Sequence, residues 1–199
     1  MMPASPVVLQ LLIINVLVYF VAQFLFPDAS HWLAMYFPGT QYFRPFQIVS
    51  YMFMHGSITH LFFNMFALYT FGTPLEYTLG PKKFLFLYFF TGFGALALYL
   101  LVQYYELINY GTIPNPVVGA SGAIFGLMAG FGILYPNQIL QLLFPPIALK
   151  AKYFVLIFGA LEVYLGIGHY NTGVAHFAHV GGALFGAILI YYWKRNRSL

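Results

Sequence analysis

The chain has 199 residues, 61% hydrophobic and only 6% charged, with eight basic and four acidic side chains giving a formal charge of +4. A soluble domain carries about 25% charged residues, so at a mean hydropathy of +0.80 a water-coated globule is excluded and lipid must solvate most of the surface. The basic residues are too sparse and scattered for a nucleic-acid surface, and the absence of cysteine excludes disulfides, thiolate metal sites and a cysteine nucleophile.

The first apolar run, 6–26, is long enough to span a bilayer, and no basic n-region or small-residue cleavage site accompanies it. It is therefore expected to be a retained helix and not a signal peptide. Residues 27–57 do not read as a span. Asp28, Pro38, Gly39, Arg44, Pro45 and His55 are interleaved there with Trp32, Tyr36, Phe37, Tyr42, Phe43 and Phe46. Such amphipathic rings favour the membrane–water interface, so a compact interfacial insertion is expected. Further spans follow at 58–79, 83–105, 119–135, 148–168 and 176–193, with a loop from Glu106 to Val118 holding Pro114 and Pro116. The expected fold class is thus an all-α integral membrane protein, one six-transmembrane-helix bundle over 1–199.

Charge sets the orientation. Lys82 and Lys83 follow the second span, Lys150 and Lys152 precede the fifth, and Lys194, Arg195 and Arg197 follow the sixth. Alternating spans put all of these on one side and leave Arg44 opposite, so the basic side is cytoplasmic and both termini lie there. A bacterial inner membrane is the expected location.

Two polar groups each open a glycine-lined apolar run. Ser121 stands in Gly119-Ala120-Ser121-Gly122, and His179 in Ala178-His179-Val180-Gly181-Gly182. Both then lie at similar depth near the outer face. Gly122, Gly126 and Gly130 recur every fourth residue, as do Gly182 and Gly186. Small residues at that spacing let two helices approach closely in lipid, and a serine beside a histidine is the minimum machinery for nucleophilic attack on a carbonyl. His176 is a rival base, one turn outward on nearly the same face. No buried Asp is in view to orient His179, so a dyad is expected and not a triad. His60 and Asn64, at i and i+4, share a helix face. They read as donors to an oxyanion, as a polar pair between helices, or with His55 as a metal site, which the lack of a nearby carboxylate or third histidine disfavours. Glu162 lies inside the fifth span, and a structural hydrogen bond is expected for it.

These residues together resemble the rhomboid family of intramembrane serine proteases. Gly119-Ala120-Ser121-Gly122 is similar to its GxSG motif, Ala178-His179 with Gly182 and Gly186 to its histidine helix, and His60 with Asn64 to its HxxxN element. His55 resembles the histidine preceding that element, Glu76 with Gly80 the end of the family's second helix, and Arg44 its WR arginine, although Phe43 stands where Trp is common. The resemblance implies Ser121 as nucleophile, His179 as general base and acid, and His60, Asn64 and the Ser121 backbone N–H as an oxyanion hole. It implies transmembrane protein substrates, a structural His55, and no cofactor or metal. The competing readings are a catalytically inactive membrane-protein-binding relative and a small transporter, which an inverted repeat would support.

Overall fold

A computed structural model describes residues 3–26, 28–141, 146–168 and 174–196. Pro27 of the expected insertion and Arg197 of the basic cluster lie outside the described residues. The described chain is mostly helical: α1 (Pro6–Phe24), α2 (Ala29–Leu33), α3 (Gln47–Ser50), α4 (Ile58–Ala67), α5 (Thr73–Leu79), α6 (Pro81–Tyr110), α7 (Ser121–Leu134), α8 (Ala151–Ile167) and α9 (His176–Arg195). A 3₁₀ turn, Tyr51–Phe53, follows α3, and a π-helical turn, Leu68–Gly72, joins α4 to α5. Helices α1 and α6 are each long and apolar enough to cross a membrane.

Where helices were expected, helices stand, with instructive shifts in their ends. The third runs to Tyr110 and not Tyr105 because Gly111, in the left-handed region at φ 65°, caps it through the carbonyls of Glu106 and Leu107. Glu106 therefore belongs to α6 and not to the following loop. That loop folds back along α6, where Gln103 accepts from the Asn115 N–H at 3.0 Å and Tyr99 donates to the Asn115 carbonyl at 2.9 Å. The fifth helix begins at Ala151 because Ala148–Lys150 form a strand, β2, paired antiparallel with β1 (Ile139–Gln141). Residues 119 and 120 precede α7, since Gly119 has φ 123° and cannot continue a helix.

The core is a tight group of α6, α7 and α9, with α8 packed on α9 and α7. Glycine makes it possible. A Cβ added to Gly182 would sit 1.8 Å from the Gly122 carbonyl oxygen, and one on Gly186 would sit 2.3 Å from that of Gly126. The two expected glycine stripes thus meet each other, backbone to backbone. Helix α6 closes the third side, with Ala95 against Gly122 and Thr91 against Gly126.

Glu76 anchors α1. Its carboxylate accepts from the Ser5 hydroxyl at 2.5 Å and from the Val7 and Val8 N–H groups at 3.0 and 2.9 Å. Three donors at a helix N-terminus satisfy a buried acid that would otherwise be costly. The segment between α1 and α4 is held by Gln47, fully buried, whose side chain accepts from the Arg44 N–H and donates to the Trp32 and Tyr42 carbonyls. Trp32, Tyr42 and Phe46 point outward from it. Met35 bridges to Val117, and the Gly119 N–H donates to the Tyr51 carbonyl at 2.8 Å. The segment and the loop before α7 therefore brace each other at the start of α7.

Candidate active site

Ser121 is the first residue of α7, and His179 lies one turn into α9. The Gly122–Gly182 contact brings the two helices together at that level, and His179 Nε2 stands 2.8 Å from Ser121 Oγ. This is a hydrogen bond of ordinary length between a hydroxyl and an imidazole. The His179 ring lies flat on Phe125, with centroids 4.2 Å apart and planes 7° apart. Phe125 is four residues after Ser121 and so shares its helix face. That spacing was readable, but an aromatic in an apolar helix does not stand out from sequence.

His60 lies across Gly119 from Ser121. A Cβ on Gly119 would sit 2.8 Å from His60 Cε1 and 3.7 Å from Ser121 Oγ, so ring and hydroxyl flank the same bare Cα. Ser57 caps α4 by accepting from the His60 N–H at 3.1 Å, which fixes the start of the helix bearing His60 and Asn64. Asn64 is buried, and its Nδ2 has no hydrogen-bond partner among the described residues. His60, Asn64, Ser121, His176 and His179 all line one cavity of roughly 1280 Å³, whose other walls include Phe63, Phe154 and Phe158. Asn64 lines the cavity shared with the serine–histidine pair, and an amide donor without a partner there is suited to receive negative charge.

His55 is fully buried behind His60, their ring centroids 5.0 Å apart, and its Nδ1 reaches the Phe53 carbonyl at 3.4 Å. Burial pushes its imidazole down to about 4, and the neighbouring His60 acts in the same direction. The Arg44 guanidinium donates to the Gln41 and Phe43 carbonyls, both at 2.8 Å, away from the cavity.

Glu162 makes a hydrogen bond of the kind expected of it, to His176. His179 has the same carboxylate beside it. Glu162 Oε2 of α8 stands 3.0 Å from His179 Nδ1 and 2.6 Å from His176 Nδ1. The first contact is close but off the N–H line, whereas the second has hydrogen-bond geometry. Motif order hid this, because only the packing of α8 on α9 brings residue 162 to the histidine helix. The three side chains are also the described group whose donor atoms converge as metal ligands do. Yet bonds of about 2.0–2.1 Å to a tetrahedral zinc would hold donors about 3.3 Å apart. Both contacts, at 2.6 and 3.0 Å, are shorter than that, and the first is a hydrogen bond.

A profile of the rhomboid domain matches residues 41–196. The chain is 33% identical over 152 residues to "Rhomboid protease AarA" of Providencia stuartii, covering 69% of this chain and 52% of that protein. It is 32% identical over 158 residues to "Rhomboid protein 1, mitochondrial" of Saccharomyces cerevisiae, covering 76% and 42%. It is 29% identical over 161 residues to "Rhomboid-like protein 11, chloroplastic" of Arabidopsis thaliana, covering 77% and 54%. The chain thus spans about half or less of the length of these relatives. The ordered motifs and the matched span agree, and the chain belongs to the rhomboid family of integral membrane proteins.

Proposed function

We propose that this protein is an intramembrane serine endopeptidase that cleaves transmembrane protein substrates in or near their spanning segments. The observation that carries the reading is the 2.8 Å contact between His179 Nε2 and Ser121 Oγ, at the wall of a cavity shared with His60 and Asn64. Ser121 Oγ attacks the scissile carbonyl carbon as His179 Nε2 takes its proton. The developing oxyanion is received by Asn64 Nδ2, His60 and the Ser121 backbone N–H, an orphan donor of the first turn of α7. His179 then protonates the leaving amine, and the C–N bond breaks. Water hydrolyses the acyl-enzyme with His179 again acting as base, which restores the serine.

The membrane arrangement is part of the same proposal. Six spans are assigned: α1, the α4–α5 unit, α6, α7, α8 and α9. The segment 27–57 lies at the interface, presenting Trp32, Tyr42 and Phe46 to headgroups. Lys82 and Lys83 open α6, Lys150 and Lys152 flank the start of α8, and Lys194 and Arg195 close α9. The site residues sit at the opposite helix ends, which supports chemistry toward the outer face. Curated relatives come from bacterial, mitochondrial and chloroplast settings, so similarity alone selects no compartment. The charge bias supports cytoplasmic placement of both termini. Substrate helices must unwind locally to be cut, since a hydrogen-bonded helix hides its carbonyls, so small helix-weakening residues near the scissile bond favour cleavage.

The test is incubation of the purified protein in liposomes with a panel of transmembrane peptides, with fragments identified by mass spectrometry. Cleavage by wild type and its loss in Ser121→Ala is the expected result. Equal cleavage by Ser121→Ala overturns the assignment.

A further inference from the structure

We propose that Glu162 is a positioning residue that completes a serine–histidine–glutamate relay, an inference that rests on the protease reading above. The observation is that one carboxylate oxygen of α8 faces two imidazoles of α9, at 2.6 Å from His176 Nδ1 and 3.0 Å from His179 Nδ1. The opposite nitrogen of His179 faces Ser121 Oγ at 2.8 Å. Glu162, His179 and Ser121 therefore follow one another from acid to base to hydroxyl across three helices, the link to Ser121 a hydrogen bond and the link to Glu162 a close contact off the N–H line.

The chemistry follows from donor and acceptor roles. An ionised carboxylate only accepts, so it holds the hydrogen of each imidazole on Nδ1. With its hydrogen on Nδ1, His179 keeps the Nε2 lone pair for the Ser121 proton. That is the tautomer a general base needs here. When Nε2 takes the proton, the ring becomes an imidazolium 3.0 Å from a carboxylate in a setting poor in water, where such attraction exceeds its value in bulk solvent. The resting contact is off-line because His176 makes the shorter one. Proton transfer strengthens the pull on His179, so the carboxylate turns toward it as charge develops. The ring face is held meanwhile by Phe125, and the two contacts leave His179 little freedom to rotate away from Ser121.

A purely structural role is the alternative. A carboxylate in a membrane helix needs partners, and two histidines would suffice to staple α8 to α9. The two roles differ in what they move. A staple acts on stability and on substrate entry, hence on the melting midpoint and KM. A relay acts on kcat and on the reactivity of Ser121 itself.

The experiment compares wild type, Glu162→Gln and Glu162→Asp in the same liposomes. It measures kcat and KM on a cleaved transmembrane peptide, the rate of Ser121 modification by a fluorophosphonate, and the melting midpoint. The relay predicts that Glu162→Gln lowers kcat and the labelling rate together by roughly 10²- to 10⁴-fold, up to the loss of about 10⁴-fold seen on removing the acid of soluble triads. KM stays within about twofold, and Glu162→Asp recovers at least about tenfold of the lost rate because the charge is restored. Wild-type kcat and labelling in Glu162→Gln, or losses confined to KM and melting, overturn the relay while leaving the protease reading intact. A wild-type protein that neither cleaves nor labels overturns both.

Discussion

Replacing Gly182 by alanine tests how the fold sets the geometry of the site. The added Cβ would lie 1.8 Å from the Gly122 carbonyl oxygen and 2.8 Å from its carbon. Carbon and oxygen in helix contacts approach to about 3.3 Å, so α7 and α9 must part by about 1.5 Å at this level. The obstacle is backbone on both sides, and no rotamer can relieve it. His179 is less than a turn from Gly182 and Ser121 adjoins Gly122, so most of the displacement passes to the 2.8 Å bond between them. That bond opens to about 4 Å, beyond hydrogen-bond reach. Misplacement of about 1 Å can cost roughly 10²-fold in rate, and overpacking of this kind costs about 1–3 kcal/mol of stability. Gly182→Ala should therefore still fold, melt a few degrees lower, and lose roughly 10²-fold or more in peptide cleavage in liposomes. Gly130→Ala is the control. Its Cβ meets the flexible Ile190 side chain at 3.1 Å, near the far end of α7, so activity should stay within about threefold. A Gly182→Ala protein cleaving at the wild-type rate would refute the claim that glycine contact holds the pair together.

His60→Ala and Asn64→Ala should each lower kcat by roughly 10²- to 10³-fold with little change in KM, as loss of an oxyanion donor does; steady-state kinetics on one peptide checks this. Glu76→Gln should weaken three hydrogen bonds at the start of α1 and lower stability by about 2 kcal/mol, read as a lower melting midpoint and faster proteolysis at the N-terminus. His55 should make stability pH-dependent. Its native imidazole titrates near 4 and its unfolded one near 6.5, so between those values the unfolded state binds the extra proton. Stability then falls as pH drops from about 6.5 to about 4, by at most about 3 kcal/mol, and is flat in this respect outside that window. Melting midpoints across pH for wild type and His55→Gln should diverge only there.

What could be read from the sequence follows a physical boundary. Apolar runs, glycine spacing and the placement of Ser121, His179, His60 and Asn64 at helix starts are local properties, and each has a counterpart in the structure. Gly111 was also readable as the stop of α6, since glycine after an apolar run favours the left-handed cap. The π-helical turn at Leu68–Gly72 was not, because an extra residue in a helical turn leaves the apolar pattern unbroken. The pairing of β1 with β2 escaped because Ala148–Lys150 continue the apolar pattern of α8, and only their pairing partners make them a strand. Glu162 escaped for a different reason. Its neighbours His176 and His179 are separated from it by a helix end and a connection, and their meeting is a fact of packing that spacing does not encode.

The central claim is that Ser121 is a hydroxyl made nucleophilic by His179 inside a membrane protein. Fluorophosphonate treatment of the purified protein, followed by peptide mapping, tests it most directly. The expected outcome is a single adduct on Ser121 in wild type and almost none in His179→Ala. Labelling of His179→Ala at the wild-type rate, or an adduct spread over other hydroxyls with Ser121 untouched, would contradict it.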